Sequence, residues 1–156
     1  MAHLTIGLLG RPSITCAGQP LELRLRKELA LLAFLAAEQE HRHSREALAG
    51  LLWPDDPEET ARNNLRVVLA GLRRQLGAAG AGCLAADRQH VRFVPESDHA
   101  LDVRAFRELL AAVRAHAHGA AERCEACVAR LAKAADLYQG EFLAGFSLSD
   151  SPPFDE

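Results

Sequence analysis

No stretch of this 156-residue chain stays apolar long enough to cross a bilayer; the longest such run, Leu29 to Ala37, is far short of the roughly 20 residues a spanning helix needs. The N-terminus lacks a basic region followed by an apolar segment, so neither a leader nor a membrane partner is expected, and the expected location is cytoplasmic. Cysteine is sparse. Cys16, Cys83, Cys124 and Cys127 are too few for the disulfide framework of a small secreted domain, and reduced thiols are the default. A glycine-rich Walker loop, a Gly-x-Ser-x-Gly elbow and a His-Glu-x-x-His helix are all missing. Catalysis is left without candidate residues, and the chain reads as a non-enzyme with no cofactor. Positive charge is lacking too: the formal net charge of −3 would count against a nucleic-acid partner if charge were evenly spread.

It is not evenly spread. From Glu59 to Val94 there are six arginines (Arg62, Arg66, Arg73, Arg74, Arg88 and Arg92) against two acids (Glu59 and Asp87), a local net of +4 that leaves −7 for the remainder. For phosphate binding the local field matters more than the chain total. Four of those arginines lie in the helix-sized stretch Ala61 to Leu76, which contains no acid.

Periodicity places this stretch in a larger pattern. Leu4, Ile6 and Leu8, then Ile14 and Cys16, then Leu21, Leu23 and Leu25 alternate with polar or small residues, which predicts three short strands joined by turns at Gly10–Pro12 and Ala17–Pro20. A core helix follows over Arg26 to Gln39. Ser44 is a candidate N-cap for a short helix carrying Leu48, Leu51 and Leu52, closed by Pro54. Asp56-Pro-Glu-Glu59 has the form of a capping box and starts a third helix that runs to Leu76, with Gly77 as its stop. Gly77 to Gly82 reads as a flexible connection to a hairpin, Cys83–Ala86 and Val91–Val94, through Asp87-Arg-Gln-His90. Pro95 to Asp98 looks like a linker. Beyond it, Asp102 caps a helix carrying Val103, Phe106, Leu110 and Val113, and after Gly119 another helix carries Cys124, Val128, Leu131, Ala135 and Tyr138 on one stripe. The last segment, Gly140 to Glu156, has no obvious structural terminus, so a fragment of a longer protein is expected, or an end that docks elsewhere.

Strands, three helices and a hairpin are the element order of a winged helix-turn-helix, an α+β fold with an N-terminal antiparallel sheet and a C-terminal hairpin wing. The major groove admits a helix and distinguishes every base pair, so the third helix is the reader. At about 100° per residue its core stripe is Leu65, Leu69, Leu72 and Leu76, and the opposite face is Thr60, Asn63, Val67, Ala70, Gly71 and Arg74. Asn63, with Asn64 beside it, can pair with adenine, Val67 can touch a thymine methyl, and Ala70 with Gly71 permits close approach. Arg62, Arg66, Arg73 and Arg74 would meet phosphates, with Thr60 as a further phosphate donor. At the wing, Arg88, Gln89 and His90 would enter the minor groove. The rival is a protein-protein interaction module without specific DNA binding, in which the arginine face meets an acidic partner.

Cys124-x-x-Cys127 after His116 and His118 invites a zinc reading, since thiolate and imidazole donors suit a tetrahedral site. The order is not a zinc-finger spacing, and Cys124 falls on the core stripe of its helix with Cys127 at the edge. The cysteines are therefore read as core residues, with zinc as the alternative.

The segments Leu31-Leu-Ala-Phe-Leu-Ala36, Ser44-Arg-Glu-Ala-Leu-Ala49, Leu52-Trp-Pro-Asp55, Ala61-Arg-Asn-Asn-Leu-Arg66, Leu72-Arg-Arg-Gln-Leu-Gly77, Leu101-Asp-Val103 and Leu137-Tyr-Gln-Gly-Glu-Phe-Leu143, in this order, resemble the SARP type of bacterial transcriptional activator. The resemblance implies an OmpR-type winged-helix DNA-binding domain, the effector fold of two-component systems, over residues 1–96. It implies the first tetratricopeptide-like helices of a bacterial transcriptional activation domain (BTAD), truncated, over residues 97–156. It also implies transcription regulation by sequence-specific binding of double-stranded DNA at promoter repeats, a homodimer on DNA, and recruitment of RNA polymerase through its sigma subunit. Carried onto this chain, the recognition helix spans Arg62 to Arg74 and the wing tip Arg88 to His90.

Overall fold

The computed structural model describes residues 4–116, 124–146 and 148. Two strands of alternating burial, β1 (Leu4–Gly7) and β2 (Ser13–Cys16), pair antiparallel. A two-residue turn at Ala17 and Gly18 leads to β3 (Gln19–Pro20), which extends the sheet. Both turn residues take positive φ, 52° and 81°, as a type I′ hairpin requires. The third strand thus comes earlier and is shorter than Leu21 to Leu25 predicts. Leu21 and Leu23 keep an alternating burial and the Leu21 amide still donates to the Ile14 carbonyl (2.9 Å), but Leu25 is exposed and the amide of Arg24 donates to the side-chain oxygen of Gln75 (2.9 Å) in place of a strand partner.

Helix α1 (Arg26–Ala37) buries Ala30, Leu31, Leu32, Ala33, Leu35 and Ala36. A short strand β4 (His43–Ser44) precedes α2 (Arg45–Leu52), whose N-cap is Ser44 as expected, its hydroxyl accepting from the Ala47 amide at 3.0 Å. Trp53 is half-buried against the core, with the Lys27 ammonium 5.1 Å above its ring. Helix α3 (Glu58–Leu76) starts one residue later than predicted, because Pro57, with an extended ψ of 147°, occupies the cap position. The expected Asp56 capping box is therefore not formed, and Asp56 instead accepts from the Asn64 side chain (3.3 Å). Gly77, at φ +61°, ends the helix as expected. The following segment is not a loose connection but a short helix, α4 (Ala78–Cys83).

The wing is β5 (Leu84–Ala86) against β6 (His90–Phe93), and β4 pairs with the other edge of β6. Residues after Pro95 do not simply link. His99–Leu101 forms β7, parallel to β1, so the first sheet runs β3-β2-β1-β7. Next come α5 (Asp102–Ala115) and α6 (Glu125–Leu137), packed on each other. Asp102 is the first residue of α5 and not its N-cap, which is Leu101. Its carboxylate reaches back to accept from the amides of Leu8 and Leu9, at 2.8 Å each. Residues 140–146 also return to this corner: the amide of Leu143 donates to the Leu8 carbonyl (2.7 Å) and that of Gly10 to Glu141 (2.9 Å).

The stripe expected on α6 is overturned. Cys127 and Ala134 are buried, whereas Val128, Leu131 and Tyr138 are among the most exposed large apolar residues. Among the described residues no helix is long and apolar enough to cross a membrane.

Candidate nucleic-acid interface

Helix α3 divides cleanly. Leu65, Leu69, Leu72 and Leu76, the predicted stripe, are at most 4% exposed, joined by Ala61 and Val68. At roughly 1.5 Å per residue its 19 residues make a rod of about 28 Å, long enough to lie along a groove. Both acids, Glu58 and Glu59, sit in the first turn, where the helix dipole favours them, and Arg73 and Arg74 sit in the last. The exposed strip between carries Thr60, Arg62, Asn63, Arg66, Val67, Ala70 and Arg74. Val67 is 53% exposed at the middle of that strip, an apolar contact ringed by polar and cationic groups.

Three expectations for this face need correction. Gly71 points inward: a Cβ there would collide with Oε2 of Glu28, a buried carboxylate that accepts from the Leu25 amide (2.9 Å) and the Gln75 side chain (2.7 Å). The glycine serves the α1–α3 contact and not an approach to a ligand. Arg73 is half-buried, donates to the Leu84 carbonyl (2.9 Å) and has its Nε buried without a partner among the described residues, so it braces α3 against the base of the wing. Asn64 is half-buried and turned to Asp56. Asn63 stays on the outer face, its side-chain oxygen accepting from Arg66 (3.0 Å).

At the wing tip Arg88 and Gln89 are exposed, while His90 is half-buried at the start of β6. The turn is held by Asp87, whose Oδ1 accepts from the amides of Gln89 and His90 (2.7 Å each). Arg45, the first residue of α2, secures the same turn. Its amide donates to Gln89 and its Nε to Asp87, both at 2.8 Å to carbonyl oxygens. The Asp-x-Gln-His pattern is the available signal for the first of these, because aspartate commonly caps amides two and three residues on; no local pattern announces the second.

Acceptance of the Gln89 and His90 amides lowers the Asp87 pKa from its ordinary 3.8. A depressed carboxylate contributes its stabilisation above the unfolded value and loses it as pH falls through the folded value. The Gln89 and His90 amide resonances are therefore expected to share an inflection below the ordinary carboxylate value as the protein is acidified. A shared carboxylate inflection at or above that value, or none, would show that Asp87 does not hold the tip.

The described zinc candidates also converge away from this face: His116, Cys124 and Cys127 adjoin one another at the α5–α6 corner, whereas His118 lies outside the described residues. Cys127 is the buried thiol and Cys124 only half-buried, the reverse of the predicted stripe.

A family model described as "Transcriptional regulatory protein, C terminal" matches residues 18–88. The transcriptional regulatory protein EmbR of Mycobacterium tuberculosis (strain ATCC 25618 / H37Rv) is 33% identical over 78 residues, 50% of this chain and 20% of that protein, and EmbR of Mycobacterium bovis matches equally. The solved structure of Mycobacterium tuberculosis EmbR in complex with a low affinity phosphopeptide matches with a TM-score of 0.72 and 30% identity over 92% of this chain. That match covers 38% of the EmbR chain, so the present sequence spans well under half of its relative.

Proposed function

We propose that this chain is part of a SARP-type transcriptional regulator with an OmpR-type winged-helix DNA-binding domain, a reading supported by the matches to regulatory proteins, and that it reads a specific duplex sequence with the exposed face of α3 while the wing tip enters the neighbouring minor groove. The observation that carries this is the continuous strip Thr60, Arg62, Asn63, Arg66, Val67, Ala70 and Arg74, set on a helix whose other side is fixed by the core. Asn63 and Val67 supply base contacts, and Arg62, Arg66 and Arg74 neutralise phosphates with Thr60 as a polar neighbour. Arg88 and Gln89 supply the minor-groove contact, and His90, Asn64 and Arg73 hold the frame around them. Residues 1–96 form the DNA-binding domain and residues 97–156 the beginning of a BTAD-like helical domain with tetratricopeptide-like helices. Pairing of two copies on promoter repeats and recruitment of RNA polymerase through sigma complete the reading as an activator acting in the cytoplasm by binding and not by catalysis.

Selection from a random duplex pool tests it. Enrichment of one sequence is expected. The second reading, an interaction module, draws on the exposed Val128, Leu131, Tyr138 and Phe142. It gains if no sequence is enriched and no duplex is retarded even at low salt.

A further inference from the structure

At the corner between α5 and α6, far in sequence from the arginine face, three donor atoms meet. His116 Nδ1, Cys124 Sγ and Cys127 Sγ all lie within 4.8 Å of one another. The imidazole nitrogen is 3.3 Å from one sulfur and 3.4 Å from the other. A tetrahedral zinc with Zn–S of about 2.3 Å and Zn–N of about 2.0–2.1 Å has N···S edges of about 3.5 Å. Both N···S edges thus lie close to those of such a tetrahedron, and the two sulfurs stand within 4.8 Å of each other.

Each donor is fixed by a different piece of backbone. His116 ends α5, its amide donating to Ala112 at 3.1 Å, and Cys124 is the N-cap of α6, its carbonyl accepting from Val128 at 2.8 Å. Cys127 lies one turn further along α6 and is fully buried. His116 is exposed and Cys124 half-buried, which leaves the site open on the side of these two donors. Two thiolates balance the charge of a divalent ion, and the N-terminus of α6 favours negative sulfur. The Arg130 guanidinium, 3.8 Å from Cys127 Sγ, faces the same atom.

We propose that His116, Cys124 and Cys127 bind one zinc ion, with the fourth position open to water or an exogenous ligand, so that the metal clips the end of α5 to the start of α6. The spacing is not that of a zinc finger because the donors are gathered by a helix-helix corner and not by a single local turn. The ion would cross-link residues 116 and 124, eight apart, and stabilise the helical pair independently of the DNA-reading face.

The test uses the full chain, purified under reducing conditions without chelator, loaded with zinc and desalted. Close to one equivalent of zinc is expected, and cobalt loaded in its place should show thiolate-to-metal charge transfer and the visible bands of a four-coordinate ion. Since Cys127 is fully buried and its replacement endangers folding, the partly exposed donors carry the variants. Cys124→Ser and His116→Gln should each weaken zinc affinity at least tenfold against a competing chromophoric chelator, with helical circular dichroism retained. Cys16→Ser should leave zinc affinity unchanged. Less than about half an equivalent in the unmodified chain, or affinity undiminished in both the Cys124 and His116 variants, would overturn the site and leave a thiol–imidazole hydrogen bond in its place.

Discussion

Asp102→Ala should lower the stability of the chain by about 3 kcal/mol, a large share of the 5–15 kcal/mol typical of a domain. The Asp102 carboxylate accepts from the amides of Leu8, Leu9 and Val103, each at 2.8 Å. Leu8 and Leu9 are at most 9% exposed, so removing the carboxylate strands backbone donors where little water can replace it. A hydrogen bond to a charged group contributes about 1.5–3 kcal/mol, and three sharing one carboxylate are not additive, which sets the estimate below their sum. The effect is not confined to one turn: the same carboxylate joins the end of β1 to the start of α5, while β7 pairs with β1 just before it. Asp102→Asn should recover less than half of the loss, because its amide nitrogen would face another donor. Urea unfolding monitored by circular dichroism measures this, and a loss under about 1 kcal/mol for the alanine variant would show that the junction is held by packing alone.

Replacing Arg62, Arg66 and Arg74 together by alanine should weaken duplex binding by roughly a hundredfold at physiological salt. Each phosphate contact contributes about 0.9 to the slope of log affinity against log salt, so the slope should fall by about 2.7 and each contact is worth roughly fivefold near 0.15 M. All three side chains are exposed, so the loss should come without unfolding. Arg73→Ala should behave differently. That guanidinium is committed to the Leu84 carbonyl, and its removal should loosen the wing base and lower stability while leaving the salt slope nearly intact. Anisotropy titrations at several salt concentrations separate the two. An unchanged slope for the triple variant would remove the phosphate contacts from α3.

The parts of this fold that follow a period were legible. Leu65, Leu69, Leu72 and Leu76 recur at helical spacing and are buried, and the polar strip opposite them follows from the same arithmetic. Ser44 and Gly77 mark helix ends because capping and positive φ are local properties. What was not legible depends on partners distant in sequence. Gly71 reads as outward on a wheel, yet Glu28 on another helix fills the space that its missing side chain leaves. β7 is three residues long and exists only because β1, some ninety residues earlier, offers a free edge. The α6 stripe failed for a related reason: Cys127 and Ala134 face the protein and Val128 and Leu131 do not, and two apolar rows on one helix look alike until a neighbour chooses between them. At the candidate site the outward residues were legible as a group. The internal engagements of Arg73, Asn64 and Arg45 were not, since they run to backbone and side-chain atoms that no local motif announces.

The central claim, that the outer face of α3 reads sequence, is tested most directly by titrating the unmodified chain and Asn63→Ala against the selected duplex and its single-base variants. A bidentate side-chain contact is worth about 1–3 kcal/mol of base discrimination. The variant should therefore lose roughly five- to a hundredfold of preference at one position, keep its preferences elsewhere, and retain the salt slope of the parent. An Asn63→Ala variant with the parent's full preference at every position would contradict it.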